Sequence, residues 1–232
     1  QKLGADVHGA GTSTITVRGG GVRHGCVHRC IGDRIAAATY LCAAAITGGQ
    51  IELTNARPRD LTAVLDKLRA MGCCVEAGED WITCSRNQPL QPTDIQTLPH
   101  PGFPTDLQAQ FMLLCSLAHG TSMVTENVFE NRFMFASELA RMGADITIED
   151  HHALVRGVND LQGTDVSSTD LRAGAALVLA GIVAEGETRV HNIKHIDRGY
   201  EDYCGKLSQL GANVSRRQVG AAHHHWQAIS FG

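Results

Sequence analysis

Asp170 to Gly186 reads DLRAGAALVLAGIVAEG. An acidic residue opens the stretch, a glycine closes it, and nearly everything between is apolar. Leu171, Ala175, Val178 and Ile182 fall on one face at helical spacing. The run AGAALVLAGIVA is nevertheless hydrophobic almost all round, which marks a buried helix rather than a surface one. A chain that uses such a segment is expected to keep helices at its centre and other layers outside.

The same plan occurs twice upstream. Asp33-Arg34-Ile35 and Asp106-Leu107-Gln108 open apolar runs that end at Gly49 and Gly120, as the third run ends at Gly186. In the second run Leu107, Phe111, Leu114 and Ala118 share a face, and LCAAAI in the first is again apolar throughout. Gly ends each helix as a residue that tolerates positive φ. Short alternating segments follow and predict strands: Gln50–Leu53, Ser122–Val124 and Thr188–Val190. A second helix is predicted in each repeat, carrying Leu61, Val64, Leu65, Leu68 and Met71 in the first and Phe135, Leu139 and Met142 in the second. These helices close at Gly72, Gly143 and Gly211, so the glycine-to-glycine spacing is 23, 23 and 25 residues. After each closing glycine come Cys74-Val75-Glu76, Asp145–Ile148 and Asn213-Val214, then a further short run such as Trp81–Thr83 or Ala153–Val155.

The predicted fold class is α/β: three β-α-β-α-β-β units, each with an opening strand just before its Asp, sharing one core with helices inside and sheets outside. The units are expected at about residues 26–90, 97–160 and 164–232, within a domain spanning 20–232. Residues 1–19 look like the closing strands of a preceding unit, with Gly4-Ala5 in the place of Gly143-Ala144, so a piece of a longer protein is expected. Trp226–Ile229 reads as the last strand of the third unit, and His223–His225 as solvated tail residues rather than a metal site.

Bulk properties narrow the function. The 232 residues are 43% hydrophobic and 19% charged, with a net charge of −4. The isoelectric point lies near 6.3. Lys and Arg are scattered, so a nucleic-acid partner is not expected. No stretch reaches the roughly 18 apolar residues of a membrane span, and no signal peptide is visible. A cytoplasmic protein without a membrane partner is expected. The eight cysteines lack paired CxxC spacing, and Cys42 and Cys115 lie in apolar runs, so free buried thiols are expected, with no metal and no cofactor.

Each unit places polar groups where a strand hands over to a helix. Arg34, Arg132, Arg172 and Arg198 sit at or near helix starts. There, free N–H groups and the helix dipole already favour anions, and Arg can grip phosphate or carboxylate with two parallel bonds. The plain alternative is pairing with Asp33, Glu130 and Asp197. Asp106 follows PHPGFPT, whose three prolines stiffen the approach. It reads as a general base or hydroxyl acceptor, or as the N-cap of the helix at Leu107. Asp170, after Ser167-Ser168-Thr169, carries the same two readings.

The segment Pro99–Gln110, PHPGFPTDLQAQ, closely resembles the PHPxFPTDxQAQ string of the UDP-N-acetylglucosamine enolpyruvyl transferases. The likeness continues through Glu130–Met134 (ENRFM), Thr169–Ala173 (TDLRA) and His195–Glu201 (HIDRGYE), and spans roughly residues 2–215. The sister family, the shikimate-3-phosphate enolpyruvyl transferases, shares the fold but lacks these strings. The resemblance implies an inverse α/β barrel domain, one of two such domains in the family, and a transferase of bacterial peptidoglycan synthesis, which serves the cell wall, cell shape and cell division. It implies two substrate partners, phosphoenolpyruvate and UDP-N-acetylglucosamine.

The resemblance also implies roles. Asp106 would contact the sugar 3-hydroxyl and accept its proton, and Asp170 would serve the addition–elimination chemistry. Val128 would touch the nucleotide sugar through its backbone. Arg198 would bind phosphoenolpyruvate, with Arg132 and Arg172 lining the cleft; Arg34 joins the substrate-binding set only through its equivalent place at a helix start in the repeat. The family's reactive cysteine lies on a loop that nothing here matches, and Cys115, within an apolar helix, is not its counterpart. The expectation is therefore half a cleft, inactive alone, partnered by an upstream domain or a second copy. A non-catalytic binding or interaction module that keeps the fold, or a structural pseudoenzyme, are the other readings.

Overall fold

The structure is a computed structural model that describes residues 1–21, 24–218 and 227–230. It divides into two compact units, residues 1–31 and 32–232. The smaller unit holds an antiparallel pair, β1 (Asp6–His8) and β2 (Thr16–Arg18), with Val7 opposite Val17.

The larger unit is the expected repeat. The first copy runs α1 (Arg34–Thr47), β3 (Gln50–Thr54), α2 (Thr62–Ala70), β4 (Cys74–Ala77) and β5 (Trp81–Ser85). The second runs β6 (Ile95–Gln96), α3 (Gln108–Ser116), β7 (Thr121–Thr125), α4 (Ala136–Arg141), β8 (Asp145–Glu149) and β9 (His152–Arg156). The third runs β10 (Asp165–Ser167), α5 (Leu171–Val183), β11 (Arg189–His191), α6 (Tyr203–Gln209), β12 (Ser215–Gln218) and β13 (Gln227–Ser230). Each copy builds one sheet, in the orders β3-β5-β4, β6-β7-β9-β8 and β10-β11-β13-β12. The β6–β7 and β10–β11 pairs are parallel, joined across α3 and α5, and all other pairs within the three sheets are antiparallel.

The opening strand expected in the first unit is missing among the described residues, so its sheet has three strands. The stretch before Asp33 has glycines at 19, 20, 21 and 25 and no alternating pattern, which disfavours a strand. Trp226 and His223–His225 lie outside the described residues, while β13 begins at Gln227.

Helices α1, α3 and α5 pack against one another at the centre. The single-face reading of α3 understates its burial, because all nine residues from Gln108 to Ser116 are buried. In α5 every residue from Ala173 to Gly181 is buried. The Ala- and Gly-rich α1 and α5 and the bulkier α3 each have the other two as neighbours. Asp33 caps α1, its Oδ1 accepting from the Ile35 and Ala36 N–H groups at 2.8 and 3.2 Å. Gly48, at φ 70°, ends it in the left-handed region. The helix N-termini, with their three aspartates, are where the polar residues gather.

The glycines that close the second helices share one conformation. Gly72, Gly143 and Gly211 have φ of 91°, 97° and 97°, and Gly4 has 88°. A side chain would strain all four. The thiols divide more than expected: Cys42, Cys73, Cys84 and Cys115 are buried, but Cys26, Cys30 and Cys74 are exposed and Cys204 is half-buried.

Candidate active site

Asp106 reaches its position through Pro104 and a tight 3-10 turn, Thr105–Leu107, ahead of α3. It caps nothing: no side chain caps this turn or the start of α3. Its Oδ1 instead accepts from Arg132 Nη2 at 2.8 Å, and its Oδ2 lies 3.6 Å from Arg172 Nε. Asp170 resolves the other way. Its Oδ1 accepts from the Arg172 and Ala173 N–H groups at 2.7 and 2.9 Å, so it is the N-cap of α5. The two aspartates looked alike in sequence and do different things.

The arginines are held firmly. Arg132 lies in the turn before α4, donates from Nη1 to Thr105 Oγ1 at 2.7 Å, and stacks over the Phe129 ring at 4.9 Å. Arg172 opens α5 and lies over the Tyr200 ring at 5.5 Å. Beneath it, the Thr39 and Tyr200 hydroxyls meet at 2.9 Å, and Gln110 Nε2 donates to Thr39 Oγ1 at 3.1 Å. Burial raises the Tyr200 phenol above its ordinary pKa, partly offset by the Thr39 hydrogen bond and by Arg172, so Tyr200 stays neutral. Among the described residues, none of Arg34, Arg132, Arg172 and Arg198 forms an ion pair with Asp33, Glu130 or Asp197. Asp33 caps α1, and Asp197 takes a two-bond grip from Arg216 at 2.9 and 2.8 Å.

Asp106, Arg132, Asp170 and Arg172 line one cavity of about 380 Å³, together with Phe129, Asn131 and Met134. Arg172 Nε and Nη1 are buried and make no hydrogen bond, Nε facing Asp106 Oδ2 at ion-pair distance and Nη1 left without an acceptor. Buried donors of this kind carry a desolvation cost that an anion would relieve. The carboxylate oxygens of Asp106 each keep lone pairs beyond those facing the guanidinium groups, enough to accept from a hydroxyl. The cavity can therefore hold an anion against Arg172 and an O–H against Asp106.

Three of the expected site residues stand outside this cavity's lining. Arg34 is the half-buried first residue of α1, and Arg198 is exposed at the end of the 3-10 segment Ile193–Arg198. Val128 is 39% exposed. Its N–H donates to Glu126 Oε1 at 2.9 Å, which fixes its backbone.

Glu126 is the residue that sequence reasoning missed. It is 3% exposed. Its Oε1 accepts from Thr97 Oγ1 and from the Val128 and Phe129 N–H groups at 2.8, 2.9 and 3.1 Å. Its Oε2 accepts from Thr105 Oγ1 at 2.9 Å. One buried carboxylate thus ties the 126–129 turn to the turn that carries Asp106. Its only trace in the sequence is its place in the string TENVFENRF. Cys115, by contrast, is a structural thiol, pushed up to about 11 by burial. Among the described residues no group of three or more His, Cys, Asp or Glu is placed to hold a metal ion.

Residues 1–207 match the profile of EPSP synthase (3-phosphoshikimate 1-carboxyvinyltransferase). The chain belongs to the EPSP synthase family. Within that family it is 53% identical over 214 residues to the UDP-N-acetylglucosamine 1-carboxyvinyltransferase of Halorhodospira halophila, covering 92% of this chain and 51% of that protein. It is 52% identical over 215 residues to the enzyme of the same name from Pseudoalteromonas atlantica, with the same coverage. Among solved structures, the enolpyruvyl transferase NikO from Streptomyces tendae superposes with a TM-score of 0.80 at 33% identity, covering 91% of this chain and 51% of that one. EPSP synthase from Acinetobacter baumannii shares the fold, with a TM-score of 0.62 at 21% identity over 86% of this chain. The chain spans about half the length of the curated relatives it matches. Its inverse α/β barrel is thus the EPSP synthase-family fold, and no helix in the described residues is long and apolar enough to cross a membrane.

Proposed function

We propose that this chain supplies one wall of an enolpyruvyl-transfer cleft, in which the enolpyruvyl group of phosphoenolpyruvate passes to the 3-hydroxyl of UDP-N-acetylglucosamine. The observation that carries the reading is the Asp106 carboxylate set between Arg132 and Arg172, beside a buried Arg172 Nη1 that makes no hydrogen bond. The likeness to two curated transferases at 53% and 52% identity supports the substrate pair.

In this reading Asp106 accepts the sugar hydroxyl and takes its proton as oxygen attacks C2 of phosphoenolpyruvate. Arg132 and Arg172 balance the phosphate and carboxylate charge that the addition step gathers in the cavity. Asp170 acts first by fixing where Arg172 emerges from α5. The backbone of Val128 offers its carbonyl to the nucleotide sugar, since its N–H is committed to Glu126. Arg198 and Arg34, outside the cavity lining, join the anion site from its margins.

The domain assignment belongs to the same proposal. Residues 1–19 are the closing strands of a preceding domain, and 20–232 the three-unit domain, with units at about 26–90, 97–160 and 164–232. The matching positive φ of Gly4, Gly72, Gly143 and Gly211 supports this, because Gly4 then closes a unit as the others do. The working partner is that preceding domain, in a cytoplasmic setting.

The second reading, a binding module that keeps the fold without turnover, draws on the half-length coverage of the relatives. One experiment separates the two. The chain is assayed for phosphate release from phosphoenolpyruvate with UDP-N-acetylglucosamine, alone and mixed with the upstream half of a relative. No turnover alone and measurable transfer in the mixture is the expected result. A folded, co-purifying mixture that releases no phosphate would favour the module.

A further inference from the structure

Arg132 and Arg172 both face Asp106, but they are held in different ways. Arg132 donates to Thr105 Oγ1 and Asp106 Oδ1 at 2.7 and 2.8 Å. Arg172 Nε and Nη1 make no hydrogen bond, although the side chain is only 15% exposed. What lies against its guanidinium is the face of the Tyr200 ring, 5.5 Å away. The backbone before that ring passes close as well, since a Cβ added at Gly199 would stand 3.6 Å from Arg172 Nη1. A cation resting on an aromatic face is held by the ring quadrupole and keeps its N–H donors free. Those donors are what an arriving anion needs.

The ring is itself anchored, at its hydroxyl. Thr39 Oγ1 gives its single proton to the Ile35 carbonyl at 2.9 Å. Toward Tyr200 Oη, also at 2.9 Å, it is therefore the acceptor, and the phenol donates. Gln110 Nε2 donates to Thr39 Oγ1 at 3.1 Å and reaches Tyr200 Oη at 3.4 Å. Behind Tyr200 the Tyr203 ring lies 4.8 Å away, and Tyr203 donates to the Ala175 carbonyl of α5 at 3.2 Å. Thr39 comes from α1, Gln110 from α3 and Tyr200 from the third unit, so each repeat sends one side chain into the cluster. Thr39, Gln110 and Tyr200 are 0%, 0% and 4% exposed. Gln110 Oε1 makes no hydrogen bond, so the cluster carries a desolvation cost that an apolar core would not.

We propose that Tyr200 is a positioning residue for the anion grip. Its hydroxyl, tied to Thr39 and Gln110, fixes the ring face on which Arg172 rests, and Arg172 then meets the phosphate or carboxylate of phosphoenolpyruvate with its donors open. The inference rests on the transfer reading above, in which Arg172 faces that substrate. Tyr200 stands outside the cavity lining, so it acts through Arg172 and touches no reacting atom. The sugar side of the cavity is held separately, Asp106 by Arg132, and the 126–129 turn by Glu126. Loss of the Tyr200 anchor should therefore be felt by one substrate and not by the other.

The test compares Tyr200→Phe, which keeps the ring and removes the hydroxyl, with Thr39→Val, which removes the acceptor at nearly equal volume. Thr39→Ser, which keeps that acceptor, is the conservative control, and each variant is first matched to the parent's far-UV spectrum. In the assembled enzyme, this chain mixed with the upstream half of a relative, Tyr200→Phe and Thr39→Val should raise the KM for phosphoenolpyruvate. The expected rise is roughly 3–10-fold, the worth of one hydrogen bond, with kcat and the KM for UDP-N-acetylglucosamine little changed. In the chain alone, inorganic phosphate is titrated while the Arg172 guanidinium is followed by NMR, and the same two variants should bind it more weakly by a similar factor. Thr39→Ser should recover most of what Thr39→Val loses in both measurements. A KM that rises equally for both substrates would mark general loosening and overturn the proposal. So would unchanged phosphate affinity in Tyr200→Phe and Thr39→Val, or Arg172 signals that phosphate does not move in the unsubstituted chain. The phosphate titration needs no turnover. A mixture that transfers nothing, while phosphate affinity still falls in the variants, would remove the transfer reading and leave Tyr200 as the support of the anion grip.

Discussion

The Asp106 carboxylate meets the Arg132 guanidinium at 2.8 Å, across 26 residues of sequence, and leaves its own helix uncapped. A polar residue directly before a buried helix normally satisfies that helix's free N–H groups. Here the side chain turns away from them toward two arginines. The arrangement suits a residue kept for chemistry, and it yields the first prediction. In the assembled enzyme, Asp106→Asn should lower turnover by about 10²–10⁴-fold, the range for loss of a general base. The stability of the isolated chain should fall by less than about 1 kcal/mol, because the ion pair is partly solvent-exposed and no cap is lost. Steady-state kinetics with a denaturant melt checks both. Unchanged turnover would remove Asp106 from the base role.

Asp170 should show the opposite pattern. Asp170→Ala removes the acceptor for two N–H groups of α5 and should cost about 1 kcal/mol, within the range for N-cap deletions. Asp170→Asn, which can still accept, should recover most of that loss. Urea unfolding of the three proteins checks it. Equal stability of Ala and Asp would mean that the cap contributes nothing here.

These two residues also show what the sequence could and could not disclose. Helices α1, α3 and α5 were legible because an apolar run bounded by Asp and Gly leaves one solution, burial at the centre. The repeat was legible because the same glycine spacing recurs. The choice between cap and site was not, since Asp106 and Asp170 occupy the same local setting. It is made by Arg132, which only the fold brings near. The opening strand of the first unit was expected by analogy with the other two, and the glycines at 19, 20, 21 and 25 carried the contrary signal. Glu126 was illegible for the reverse reason: a glutamate beside exposed loop residues gives no local hint that it will be buried with four donors.

Glu126 yields a third prediction. Glu126→Gln replaces a carboxylate oxygen with an NH2 group that must face N–H or O–H donors. A buried donor left facing another donor costs about 1–3 kcal/mol. The 126–129 turn should loosen, with faster hydrogen exchange at the Val128 and Phe129 amides while α5 keeps its protection. Exchange monitored by NMR checks this. Unaltered protection of both amides would show that the turn holds its shape without the carboxylate.

Alkaline pH should destabilise the chain earlier than its composition suggests. Burial pushes Tyr40 up to about 12, and Cys115 and Cys204 each up to about 11. Burial also raises Cys42 and Tyr203. A raised pKa means that the folded state holds the proton more tightly than the unfolded chain. That contribution is complete below the unfolded pKa and is lost as pH climbs toward the folded one. Cys73, lowered by its Cys84 hydrogen bond, works with the opposite sign, but it is a single group. With unfolded values of about 8.5 for Cys and 10 for Tyr, Tm should be level to about pH 8 and fall between about 9 and 11. Scanning calorimetry across that range checks the sign. A Tm that rises through it would contradict the assignment of these groups as neutral in the fold.

The last prediction concerns Gly174, in the first half of α5. In an exposed helix, replacing Gly with Ala gains about 1 kcal/mol, because Ala loses less backbone entropy. At Gly174 an added Cβ would overlap Ser168 Oγ and come within 2.8 Å of Ile196 Cγ1. Neither neighbour can yield easily. Ser168 Oγ donates to the Asp170 carbonyl at 2.9 Å, and Ile196 is 2% exposed within the 3-10 segment that leads to Tyr200. Gly174→Ala should therefore destabilise the chain by about 1–3 kcal/mol, the cost of overpacking, and reverse the sign expected from helix propensity. Because the closest contact is the serine hydroxyl, Ser168→Ala should relieve part of the strain, making the double variant more stable than the sum of the single losses. Denaturant melts of the four proteins form the test. If Gly174→Ala alone were neutral or stabilising, α5 would have room to spare, and the close packing that sets Arg172 over Tyr200 would need another cause.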